Sequence, residues 1–162
     1  MKKLLVLFLT TIIFTIPTQA EVIKTGVSIE HIPNALFGSW RVNAKLDTTN
    51  SLETFKPQSI DIWNMTRVGD KITLQNPLSG AKADISVQTV QGNLIVFSKK
   101  LPYDNKILTD TITIRLKDNE FSGINTLTLE SFSLIDNHLM KTETALYNIT
   151  GEKIYGESVI VE

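Results

Sequence analysis

From Ser39 to Leu46 the chain alternates without interruption: Trp40, Val42, Ala44 and Leu46 are apolar, and Ser39, Arg41, Asn43 and Lys45 between them are polar. A period of two sends the two sets to opposite faces, so this stretch is a strand with one side in a core and the other in water. No later stretch carries a helical period of useful length, and polar turns instead punctuate the chain every ~8–12 residues. The segments between them read as strands at 59–68, 71–75, 81–90, 94–101, 107–116 and 121–132. A final hairpin is expected to pair 140–149 with 154–161 across Thr150-Gly151-Glu152-Lys153. The pattern predicts an all-β fold: a single antiparallel β-barrel or half-open barrel of about 8–10 strands, with a sandwich as the other solution. Gly123 and Gly156 each stand just after a turn, where a glycine lets a strand bend, and this favours a closed meander.

The residues ahead of the first strand carry an address. Lys2 and Lys3 precede an apolar run from Leu4 to Ile16, and Pro17-Thr18-Gln19-Ala20 follows. A basic start, a run too short to span a bilayer comfortably and small residues at its end describe a secretory signal peptide. Residues 1–20 are therefore expected to be cleaved, leaving 21–162 as one β domain in the periplasm or secreted from a bacterium. The chain has no cysteine, which excludes disulfides, thiolate metal sites and a lipid on a cysteine after the leader. Sixteen basic and seventeen acidic residues, mixed along the sequence, give no basic stripe for nucleic acid. Lys45, Lys71, Lys82, Lys99 and Arg115 read as outward-facing charges, which argues against membrane insertion after cleavage.

Pro33 suits the first turn of a helix, so a single helical turn is expected just before the first strand. After Leu46 the segment Asp47 to Lys56 forms the longest connection, where Asn50 and Glu53 resemble a capping pair and Leu52 and Phe55 give a short helix an apolar side. Two strands are apolar on both faces. Ile60 and Ile62 oppose Trp63 and Met65, and Ile95 and Phe97 oppose Leu94 and Val96, which calls for a bulge, a covering segment or an exposed patch. Small residues expected inside are Ala44, Ala83, Thr89, Gly123 and Ala145; large ones are Leu46, Leu74, Ile85, Ile112 and Leu127.

Gly38-Ser39-Trp40 at the head of the first strand, after a helical turn and before a long first loop and short hairpins, resembles the lipocalin and wider calycin barrels. The resemblance implies that Trp40, with Gly38, is structural and closes the narrow end, while the open end under the 47–56 loop holds a small apolar ligand. That family brings an arginine from a late strand onto the tryptophan, and no arginine follows Arg115 here. The family's Thr-Asp-Tyr-like middle turn has no counterpart either.

Reaction chemistry is absent from the motifs. His31 and His138 stand in no metal-binding spacing, no G-x-S-x-G elbow or glycine-rich phosphate loop occurs, and Asp61, Asp84, Asp110, Glu130 and Glu143 fall singly on strands. The sequence thus predicts a non-enzymatic exported binding protein with no catalytic residue, metal or cofactor. Its ligand would be a small apolar or amphipathic molecule touching Leu52, Phe55, Trp63, Met65 and Phe97. The other expectation is a cell-envelope module with a solid core that binds another protein through an exposed patch of Trp63, Met65, Ile95 and Phe97.

Overall fold

The computed structural model describes residues 31–156 apart from Asp70. The expected leader and the last residues of the expected final strand lie outside them. A 3-10 turn at Asn34–Leu36, entered from Pro33, leads into eight strands. These are β1 (Gly38–Thr49), β2 (Gln58–Val68), β3 (Lys71–Gln75), β4 (Lys82–Gln91), β5 (Leu94–Tyr103), β6 (Lys106–Lys117), β7 (Glu120–Phe132) and β8 (Leu139–Tyr155). Each pairs antiparallel with the next, and β8 returns to β1, so the meander closes into a barrel.

The tight turns follow from residues that tolerate a left-handed backbone. Gly92, Asp104 and Asp118 have φ of 60°, 47° and 54°, and each opens a two-residue link between strands. The short links after β2, β4 and β6 lie at the end of the barrel where β1 begins. The opposite end carries the longer connections at 50–57, 76–81 and 133–138 together with the turn after β5.

The first strand behaves as its alternation requires: Trp40 and Val42 are buried, and Ala44 and Leu46 pack against the core. Residues paired across antiparallel strands share a face, so the register assigns every wall position from these four. Trp40 faces Trp63, Gly38 faces Met65, Phe97 faces Ile112 and Ile95 faces Ile114. Trp63, Met65, Ile95 and Phe97 are therefore core residues, at most 6% exposed, and the expected exposed patch does not form. β2 pairs with β1 without a shift, so no bulge changes its face; Ile60 and Ile62 simply point outward.

Four further expectations are corrected. The final hairpin is one continuous 17-residue strand, because Gly151 pairs with Val42 on one side and Phe121 on the other instead of turning. Lys99 points inward, since it pairs with buried Asp110 between inward Phe97 and Leu101. A register shift between Val87 and Thr89 puts Thr89 opposite outward Val96, and Val90 takes the inner position. The 50–57 connection holds turns and no helix: the Asn50 amide bonds the β8 backbone at Thr142 and Thr144 instead of capping. Gly123 does mark close approach, because a Cβ there would overlap the Thr113 carbonyl of β6.

Candidate functional site

The two ends of the barrel interior are built differently. At the end where β1 starts, Leu36 and Phe37 are fully buried, and the Trp40 indole N–H donates to the Leu36 carbonyl at 2.9 Å, tying the 3-10 turn across the opening. Phe121 packs 5.1 Å from Trp40 and 5.9 Å from Trp63, and Trp63 meets Phe97 edge-on at 6.4 Å. These tilted, stacked and edge contacts occupy this half of the interior and contribute beyond their buried area. Lys153 caps the plug from outside: its ammonium donates to the Ala35 carbonyl at 2.8 Å and stands 5.1 Å over the Trp40 ring. Gly38 has a φ of +117°, and a Cβ there would approach the Tyr155 carbonyl to 2.8 Å, so the entry to β1 admits only glycine without strain.

Toward the other end the inner face turns polar and remains partly open. Asp61, Lys99, Asp110, Asn125, Glu143 and Lys141 all take inward positions by register. Lys99 pairs with Asp110 at 3.1 Å, with both side chains mostly buried. Burial pushes the Asp110 carboxyl above its ordinary range, and the Lys99 ammonium opposes that shift. The inward Leu101, Leu108, Leu127 and Leu129, which surround this layer, are only half-buried. Inward side chains that keep contact with solvent mean that water reaches the interior at this end. Its wall is lowest at five-residue β3, which pairs β2 only from Asn64 to Val68 and leaves 58–63 beyond it. In that gap the Asn76 amide donates to the Asp61 carboxylate at 2.9 Å.

The first loop sits on this end. Ser51 and Thr54 donate to the Glu143 carboxylate at 2.5 and 2.7 Å, and Lys141 pairs with it at 2.9 Å. The Lys141 ammonium, followed by the two hydroxyls, holds the Glu143 carboxyl down at about 2. The Tyr147 hydroxyl donates to the Lys56 carbonyl at 2.9 Å, and the buried ring has its acidity lowered by desolvation.

The predicted ligand-contacting residues do not converge. Trp63, Met65 and Phe97 are packed in the plugged half, Phe55 is buried where its loop meets the barrel, and Leu52 projects from that loop into solvent. What sequence reasoning missed is the inward polar layer, whose members are separated by up to 82 positions and meet only through strand register. Lys99 opposite Asp110 was the one available signal, since both interrupt runs of alternating apolar residues. His31 and His138 are exposed, and among the described residues no group of acids and histidines is placed to hold a metal. No described helix is long and apolar enough to cross a membrane.

These features define a closed eight-stranded meander with one end plugged by aromatic side chains and the other lined by half-buried leucines and polar groups. Compared with protein-family profiles, curated proteins and solved structures, the chain matches none.

Proposed function

We propose that this is an exported, non-enzymatic binding protein of lipocalin-like type that holds one small amphipathic molecule in the loop end of its barrel. The observation that carries the reading is the asymmetry of the interior: aromatic side chains seal one half, while inward leucines of the other half stay half-buried beside polar groups. Binding sites are concave, mostly apolar and furnished with a few fixed polar groups, and that half of the barrel has this make-up. Lys153 supports the likeness to calycin barrels, because it supplies over Trp40 the cation that the missing arginine would provide. Around the open end Leu52, Leu78, Tyr103, Leu134, Ile135 and Met140 are more than half exposed, a rim suited to molecules with an apolar part.

The alternative, an envelope module that docks a protein, has lost the patch of Trp63, Met65, Ile95 and Phe97. The exposed rim and other exposed apolar side chains such as Ile60, Val68 and Tyr155 remain to it. Titration of the purified protein with the neutral fluorophore 1-aminoanthracene separates the two readings. Saturable enhancement at one site, reversed by a panel of alkyl amphiphiles, is the expected result. No saturable signal, together with a native mass equal to the bare chain after purification from its own host, would refute the ligand reading.

A further inference from the structure

One strand edge in the barrel wall lacks a neighbour. Because β3 pairs β2 only from Asn64 to Val68, residues 58–63 of β2 are paired with β1 alone among the described residues. Every second residue of an antiparallel strand turns its N–H and C=O away from a given neighbour, so this stretch presents backbone donors and acceptors to its open side. The 76–81 connection does not continue the ladder. Its Gly80 N–H donates to the Asn76 carbonyl, and the Leu78 and Ser79 N–H groups donate to the Asn76 side chain, which folds the segment onto itself. Folded proteins guard such edges with lysine, proline or a bulge. Here 99–103 of β5, unpaired toward β4, has Lys100 and Pro102, and 86–91 of β4, unpaired toward β3, has the shift between Val87 and Thr89. Residues 58–62 have none of these devices, and outward Ile60 beside the edge is 60% exposed.

We propose that a second copy of this chain completes the wall here: β2 of each copy pairs antiparallel with β2 of the other along 58–62, about a twofold axis through Ile60. The occupant follows from the residues of the edge. Identical strands paired antiparallel about a twofold axis make a closed, self-complementary contact. Directly opposed residues share a face, which leaves two registers near the middle of the stretch. An axis at Asp61 sets two carboxylates against each other on the inner face. An axis at Ile60 instead sets Ile60 against Ile60 and Gln58 against Ile62 on the outer face, and Ser59 against Asp61 on the inner face. The Asn76 amide donates to Oδ1 of Asp61 at 2.9 Å, so Oδ2 can accept the Ser59 hydroxyl of the second copy. Pro57, which has no N–H to give to a ladder, bounds the paired stretch. So short an edge makes a small interface and hence a reversible dimer. The contact is independent of what either barrel holds inside.

Sedimentation equilibrium of the purified protein between about 10 and 500 μM tests the contact. The mass is expected to rise from one chain toward two across that range. Ile60→Lys, an outward change on a strand still paired to β1, should weaken association at least about tenfold. Single cysteines, which the native chain lacks, read the register. Under mild oxidation Ile60→Cys should form a disulfide-linked dimer, since its thiols face each other across the axis. Ile62→Cys, set against Gln58, and Val68→Cys, where β2 pairs with β3, should stay single chains under the same conditions. A mass of one chain at every concentration would overturn the proposal. So would a dimer that Ile60→Lys leaves unchanged, or equal cross-linking of the three cysteine variants. Slow amide exchange along 58–62 in a monomer would assign the edge to a different occupant and overturn it as well.

Discussion

The Lys153 ammonium lies 5.1 Å above the Trp40 ring and donates to the carbonyl of Ala35, so one side chain fastens the 3-10 turn to the indole that plugs the barrel. A cation over an indole face contributes about 0.5–1 kcal/mol when partly exposed, and the hydrogen bond adds a similar amount. Lys153→Met should therefore lower stability in urea by about 1–2 kcal/mol, and Lys153→Arg should restore most of it. Trp40→Ala, which empties the plug, is expected to cost about 3–5 kcal/mol.

The buried pair of Lys99 and Asp110 should show strong coupling. Removing either partner strands the other charge inside the barrel, so Lys99→Met or Asp110→Leu alone is expected to destabilise by roughly 3–5 kcal/mol. The double variant, with two apolar side chains of similar volume, should recover most of the loss. Additive losses in urea melts would mean that the two groups do not interact as their 3.1 Å separation requires.

Acid should expose the role of Glu143. Its carboxyl is held at about 2, below the ordinary 4.5, so the unfolded chain binds a proton more readily than the folded one. The stabilisation is complete above the ordinary value and is lost as pH falls through about 2. Asp110 acts in the opposite direction: its pKa is raised, so protonation favours the fold and its contribution declines as pH rises past 3.8. Melting temperatures measured from neutral pH down to about 2 should accordingly fall less steeply for Glu143→Gln than for the native chain.

The loop over the mouth depends on the same carboxylate. Ser51→Ala with Thr54→Ala removes both hydroxyls that tie the 50–57 segment to the Glu143 carboxylate, while Phe55 stays buried beneath it. Amide exchange is expected to quicken across this loop and to stay unchanged in β5 to β7. Uniformly faster exchange would mean that the loop contacts support the whole barrel.

Much of this architecture was legible in the sequence because strand faces are encoded locally. The alternation from Ser39 to Leu46 specified which side of β1 is buried, and Ile72, Leu74, Ile112, Ile114 and Leu116 took the positions that their own alternation requires. The 3-10 turn after Pro33 was equally local, since proline presets the backbone angle of a first turn. Only tertiary structure decided what fills the interior. A glycine inside Thr150-Gly151-Glu152-Lys153 reads as a turn until strands on both sides pair with it, and Lys99 reads as a surface charge until Asp110 stands opposite. Periodicity says which residues share a face; register between distant strands says which faces meet. For that reason the sequence determined antiparallel strands with Trp40 facing a core, whereas closure of the ring, and with it the polar layer of Lys99, Asp110, Asn125 and Glu143, was decided only by the pairing of eight strands in space.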